Sequence, residues 1–221
     1  MKKHNRRSFI KILTLLTGGS MINLKGFINA EHLLLKRNPI LPPGAININN
    51  FNRHCSACHL CISKCPSKIL TPAKLEYELK GIMQPIINYD EGYCEYNCIE
   101  CMKVCPTGAI TSPYINKQRQ HNNNEEQLII KEKQLLQIGI AKYNKELCLI
   151  KVSGINCNKC ASNCPAGAIN IVKGENNLSF PSVNVNKCIG CGVCEYYCPT
   201  LIEKKAIWID GVKNQLRIAN S

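Results

Sequence analysis

No stretch of this sequence carries the marks of a self-sufficient enzyme. A glycine-rich phosphate loop, a G-x-S-x-G elbow and an H-E-x-x-H pair are all absent. Their absence excludes phosphate-loop nucleotide chemistry, serine hydrolysis of the elbow type and zinc-protease chemistry. Long apolar runs are missing too. The best, residues 12–24, is interrupted by Thr14, Thr17, Gly18, Gly19 and Asn23 and is too short and polar to span a bilayer. Acids are scarce, 15 against 28 Lys and Arg, for a formal charge of +13. Such an excess would ordinarily point to nucleic acid or an anionic surface. Lys2, Lys3, Arg6, Arg7, Lys11 and Lys25 fall within the first thirty residues, where there is no acid, and without them the excess is +7.

Cysteine is what the chain has in quantity: sixteen in 221 residues, in a sequence whose 45% hydrophobic content is that of an ordinary folded protein. The cysteines form four groups with none left over. Cys55, Cys58, Cys61 and Cys65 run as C-x2-C-x2-C-x3-C-P, and Cys188, Cys191, Cys194 and Cys198 repeat that spacing. Cys94, Cys98, Cys101 and Cys105 begin with C-x3-C, whereas Cys148, Cys157, Cys160 and Cys164 begin with C-x8-C. Every group ends in Cys-Pro.

Three thiolates on one tight loop suit three irons of a cubane, and the fourth, beside proline, leads toward a neighbouring cluster. The sixteen cysteines are therefore read as ligands of four [4Fe-4S] clusters, with two motifs sharing two clusters. Motifs can pair in order or nested, second with third and first with fourth, and nesting is the favoured expectation. At about −2 for each oxidised cluster with its thiolates, four clusters remove roughly 8 from the charge and bring it near neutrality. No nucleic-acid partner is expected.

Other cysteine chemistries fit less well. A disulfide framework would not repeat C-x2-C-x3-C-P, and close neighbours are poor partners for one another. Zinc knuckles present cysteines in pairs rather than threes. Cys55-Ser56-Ala57-Cys58-His59 is formally a haem attachment sequence, yet haem there would strand Cys61 and Cys65. His59 is read as a loop residue near a cluster, and His4, His32, His54 and His121 lack ligand-like company. Gly190 and Gly192 are expected to let backbone approach sulfide.

The expected fold class is α+β, with two ferredoxin-like 2[4Fe-4S] units, short helices and β-hairpins around the four motifs. The expected organisation is a signal or anchor over 1–30, a linker over 31–50, motifs 1 and 2 over 51–115, a loop and helix over 116–143, and motifs 3 and 4 with a C-terminal hairpin over 144–221. A helix is expected from Thr71-Pro72 to Gly81, and strands over 83–89, 138–143 and 182–185. Asp210-Gly211 signals a hairpin between 206–209 and 212–218, with Trp208 packed in it. Within 107–147 the polar run 118–127 reads as a surface loop, followed by a short helix over LIIKEKQLLQ. The sequences Thr107-Gly108-Ala109-Ile110 and Ala166-Gly167-Ala168-Ile169 read as a turn and the start of a strand.

Met1-Lys2-Lys3-His4-Asn5-Arg6-Arg7-Ser8-Phe9-Ile10-Lys11, ahead of the apolar run, resembles a twin-arginine export signal, with cleavage after Ala30 or retention as an anchor as alternatives. That route carries folded proteins, which suits clusters inserted in the cytoplasm. Leu41-Pro42-Pro43-Gly44-Ala45, then Phe51 shortly before Cys55, resembles the Arg-Pro-Pro-Gly-Ala lead-in of the ferredoxin-type proteins of periplasmic nitrate reduction and methylamine utilisation (the NapG/MauM type). Four cysteine groups and a widened first gap in the third extend the likeness over nearly the whole chain. Leu41 in place of arginine and C-x3-C-x2-C in the second group depart from it.

The resemblance implies electron transfer from a membrane quinol-oxidising partner to a reductase outside the cytoplasmic membrane, with the sixteen cysteines carried over as ligands. Service to a different oxidoreductase complex, or a redox-sensing or maturation role, are the alternatives. No catalytic residue is assigned. Lys64, directly before the fourth cysteine of its motif, and Lys103, two residues before that of the second, are read as solvated.

Overall fold

A computed structural model describes residues 37–112, 123–174, 178–201 and 205–218. The export signal with Ala30, His4, His32, His121 and the start of the polar loop lie outside them. Among the described residues no helix is long and apolar enough to cross a membrane.

Residues 37–221 form one compact unit. It opens with the Leu41–Ala45 turn and helix α1 (Ile48–His54), whose Asn47 side chain accepts the Asn50 N–H as a cap. Motif 1 carries helix α2 (Leu60–Lys64), followed by strands β1 (Leu70–Pro72) and β2 (Pro85–Ile87) and then helix α3 (Glu100–Val104) of motif 2. Helix α4 (Asn123–Leu135) runs directly into strand β3 (Leu136–Tyr143). Helices α5 (Leu149–Ser153) and α6 (Lys159–Ser162) hold motif 3; strands β4 (Ile169–Lys173) and β5 (Ser179–Val183) lead to helix α7 (Val193–Tyr196) of motif 4, and strand β6 (Ile207–Arg217) closes the chain. The three sheets are antiparallel pairs, β1 with β2, β3 with β6 and β4 with β5. The α+β class holds, with a small sheet between the two motifs of each half.

Three expected elements differ. The polar run expected as a loop to residue 127 is already helical from Asn123, within α4. The helix over 71–81 is absent: Thr71 pairs with Ile86 and Pro72 with Pro85. Ala73 N–H donates to Gln84 O at 2.7 Å, which extends the pairing. Tyr77 is buried and its hydroxyl donates to Pro85 O, so only Leu79–Gly81 forms a single 3₁₀ turn. Tertiary pairing outweighs the helical propensity of AKLEYELK.

The C-terminal hairpin is also absent. Asp210 and Gly211 lie inside one continuous strand, paired with Ile140 and Gly139 of β3. The Asp210 carboxylate accepts the Asn38 backbone N–H at 2.8 Å. A Cβ on Gly211 would come within 2.1 Å of Pro39 O. Glycine here admits the N-terminal segment against the strand rather than turning the chain. Trp208 consequently sits in that strand opposite Lys142, with the Arg37 guanidinium over its ring at 5.9 Å.

The lead-in turn is a clasp rather than a linker. Gln215 of β6 donates to Pro42 O at 2.8 Å and Leu41 O at 3.3 Å, and accepts the Gly44 N–H at 2.8 Å. Gly44 (φ +91°) presses on Thr111, just past motif 2, where a Cβ would lie 2.3 Å from its carbonyl oxygen. Chain start, first half and last strand thereby meet at one point.

Candidate metal centres

Four hollows, each lined by four thiols, lie among these elements. The first is walled by Cys55, Cys58, Cys61 and Cys105, the second by Cys65, Cys94, Cys98 and Cys101. The third takes Cys164, Cys188, Cys191 and Cys194, the fourth Cys148, Cys157, Cys160 and Cys198. Every quartet draws three thiols from one motif and the fourth from its neighbour, so all sixteen expected residues are placed. Motifs pair in order, first with second and third with fourth. The expected nesting is overturned because β1–β2 folds motif 1 onto motif 2 and β4–β5 folds motif 3 onto motif 4, each a local closure.

Backbone preferences explain the exchange. A proline disfavours the helical region for the residue before it. Cys65 and Cys105 accordingly leave their helices with ψ of 113° and 109°, heading for the neighbouring hollow. Left-handed turns shape the first and last motifs. In motif 4 they fall on Gly190 and Gly192, whereas in motif 1 the equivalent positions are Ala57 (φ +52°) and His59 (φ +62°). His59 thus has a conformational role beside the first hollow, with Nε2 in contact with Met83 O at 2.8 Å.

The two motif-4 glycines serve packing rather than approach to sulfide alone. A Cβ on Gly190 would lie 2.4 Å from Gly139 N, and one on Gly192 2.3 Å from the Tyr89 ring. Tyr89 is buried and its hydroxyl donates to Gly190 O at 2.5 Å. Beside it, Cys94 N–H donates to Cys191 O at 2.8 Å. The second and third hollows therefore meet where the halves join, and the four hollows adjoin in series. Cys58 of the first hollow is exposed, the third hollow is the most enclosed, with Cys188, Cys191 and Cys194 buried, and the second and fourth each combine two buried thiols with two half-buried ones.

All sixteen cysteines are free thiols. Burial pushes Cys61 and Cys191 up to about 12 and Cys160 up to about 11, with the neighbouring thiols adding to the effect. Cys105 moves the other way. Burial raises it, but the amides of Ile110, Gly108 and Thr107 and the Thr107 hydroxyl outweigh that effect and hold it below the ordinary value. Amides also point at sulfur from Ile110 to Cys105 at 3.4 Å, from Ala168 to Cys164 at 3.3 Å and from Ala141 to Cys188 at 3.4 Å. The turns at Gly108 (φ +75°) and Gly167 (φ +57°) provide the first two of these donors, though only Ile169 goes on into a strand.

A cluster fits this donor set better than a single ion. Among the described residues no three thiols, histidines or carboxylates gather closely enough to hold one metal ion. Each quartet instead walls a hollow of its own, with its four thiols spread around it. The Tyr143 hydroxyl, buried with no nitrogen or oxygen partner, faces Cys148 in the fourth hollow. Haem attachment through Cys55 and Cys58 would dismantle the first quartet.

Sequence reasoning missed Tyr89, Tyr143, Glu195 and Lys133. Glu195 is buried, bound to Arg37 at 2.5 Å and to Ile209 N–H at 2.7 Å. Lys103 is also not simply solvated, since it pairs with Glu100 at 3.1 Å and Glu126 at 3.3 Å.

Thiol quartets exchanged between paired motifs define a dicluster ferredoxin. The family model for the 4Fe-4S dicluster domain matches residues 54–109 and 155–202, one match for each half. The methylamine utilization ferredoxin-type protein MauM of Methylobacillus flagellatus is 30% identical over 210 residues, covering 90% of this chain and 81% of the relative. Ferredoxin-type NapG of Escherichia coli is 30% identical over 175 residues, 75% of this chain and 68% of the relative. NapG of Haemophilus influenzae is 29% identical over 220 residues, 92% and 71%. The chain belongs to this family of ferredoxin-type iron-sulfur electron-transfer proteins. Cys148 falls outside the family match, and α5 returns it to the fourth quartet across the widened gap.

Proposed function

We propose that the chain is a four-cluster electron carrier, each quartet of thiolates holding one [4Fe-4S] group. The observation that carries this is the set of four hollows, each walled by three thiols of one motif and the last of its partner. When bound, each group accepts and returns one electron without bond making or breaking. The protein supplies the thiolates, the amide donors that stabilise them, and surroundings in which each quartet has at least one buried thiol. Exposed Cys58 at the first hollow and half-buried Cys157 and Cys160 at the fourth suit contact with two redox proteins, one at each end, and the buried seam at Cys94 and Cys191 suits transfer between halves.

The same reading takes the chain to the outer side of the cytoplasmic membrane by the twin-arginine route, there to pass electrons from a membrane quinol-oxidising protein to an exported reductase. The resemblance of its N-terminus to an export signal and its likeness to MauM and NapG support this. A catalytic site of its own is not part of the proposal.

Metal content of the anaerobically purified protein is the test. The expected result is about sixteen iron and sixteen acid-labile sulfide per chain, with neither zinc nor covalent haem. Half that iron, or stoichiometric zinc, refutes the four-cluster carrier. Export is checked separately by fractionating cells that carry the full chain and an Arg6→Lys, Arg7→Lys variant; equal distribution of the two overturns the twin-arginine route.

A further inference from the structure

Among the described residues one basic side chain is buried, Lys133, at 2% exposure. It lies one helical turn beyond Ile129 on the face of α4 turned to motif 2. Its ammonium donates to the carbonyls of Glu95 and Tyr96, the latter at 3.0 Å, directly after Cys94. Both acceptors are neutral, and Lys133 takes part in none of the ion pairs among the described residues. An ammonium withdrawn from water without a counter-charge is strongly unfavourable, so an anion belongs nearby. Cys94 lies against it, and the influence of Lys133 on that thiol is the largest opposing burial.

Among the described residues the other hollows lack such a group. Glu195, buried beside the third, is neutralised by Arg37. Lys205 reaches Cys198 O at the fourth but is half-buried. Lys103 is paired twice and Lys64 is exposed. Glu95 opposes Lys133 at Cys94 and Cys98, yet it is exposed and hydrogen-bonded to Ser67, so solvent weakens it more than the buried charge.

We propose that Lys133 is the counter-ion of the second quartet, Cys65, Cys94, Cys98 and Cys101, and makes the [4Fe-4S] group held there the first of the four to accept an electron. This rests on the four-cluster reading. One electron is added and no proton or bond changes; the added negative charge is stabilised by the fixed positive one. Lys133 acts as a positioning residue as well, since with Gln134, bound to Asn97 at 2.7 Å, it clamps the 95–97 loop. A potential separates the two roles.

The experiment is stepwise anaerobic reduction of the full protein with dithionite, followed by electron paramagnetic resonance after the iron count. In the wild type, the first signal to develop is the one whose line shape Cys98→Ser changes. Lys133→Met moves that signal later in the titration and leaves the other three in place, and Lys133→Arg restores the order. An unchanged order in Lys133→Met, or a first signal altered by Cys160→Ser or Cys188→Ser instead, overturns the proposal. If Lys133→Met fails to load, the wild type against Cys98→Ser still decides it. An iron count far short of four clusters refutes the underlying reading instead.

Discussion

Gly192 shows how much a single position carries. Its φ of +81° and the 2.3 Å approach of a notional Cβ to Tyr89 leave no room for a side chain. Gly192→Ala is expected to cost about 3 kcal/mol, from overpacking and left-handed strain together, read as a lower midpoint in thermal unfolding. Ala57 adopts the same kind of turn with a side chain, so Ala57→Gly relieves strain at some cost in unfolded-state entropy. The expected net change is less than about 1 kcal/mol, measured by the same transition. The thiols set a pH limit on the cluster-free protein. Cys61 and Cys191, pushed up to about 12 from an ordinary 9.0, are neutral in the fold. Because their pKa is raised on folding, the stability they contribute is complete below about pH 9 and is lost as the pH rises toward 12. Denaturant titrations of the cluster-free chain at stepped pH are expected to show stability falling across that window.

Among the elements, β6 does what no motif does: it pairs with β3, and through Gln215 it satisfies three backbone groups of the Leu41–Ala45 turn. Gln215→Ala leaves Leu41 O, Pro42 O and Gly44 N–H buried without that partner. The expected loss is about 2–3 kcal/mol, chiefly from Leu41 O and Gly44 N–H, since Pro42 O keeps the Ala45 N–H, checked by equilibrium unfolding. Gln215→Glu restores the acceptor for Gly44 but faces two carbonyls with a carboxylate and is expected to rescue little. Helix α4 is likewise more than a tolerated surface piece. Lys103–Glu126, Ser112–Glu132 and Gln134–Asn97 contacts fasten it over motif 2, which is how Lys133 comes to the second hollow.

At the scale of the whole molecule, the decisive property is that two closures of the same kind are joined at one seam. In-order pairing is testable by iron content. Cys58→Ala and Cys105→Ala each belong to the first quartet, so the double variant is expected to lose no more iron than either single one, about four of sixteen per chain. Cys58→Ala with Cys198→Ala removes ligands from two quartets and is expected to lose about eight. Nested pairing would reverse that pattern. The seam itself, the Tyr89 side chain against Gly190 and Gly192 and the Cys94 backbone against that of Cys191, is buried, so it gives the halves one fixed relation.

Spacing by itself was enough to mark the sixteen thiols that the structure gathers into four hollows, and the Cys-Pro exits, because a tight thiol loop and the pre-proline restriction are local matters, written within ten or so residues. The α+β class and the strand of residues 138–143 were legible for the same reason. Lys133 carried a faint signal, four residues after Ile129 on one helical face, but a period cannot reveal what that face meets. The pairing of motifs, the straight run through Asp210-Gly211 and the clasp at Gly44 depend on contacts between residues more than a hundred positions apart or on a choice among local closures. Asp-Gly turns a chain only when nothing else occupies its flank; here Asn38 and Pro39 do, and the tertiary structure decided for a strand.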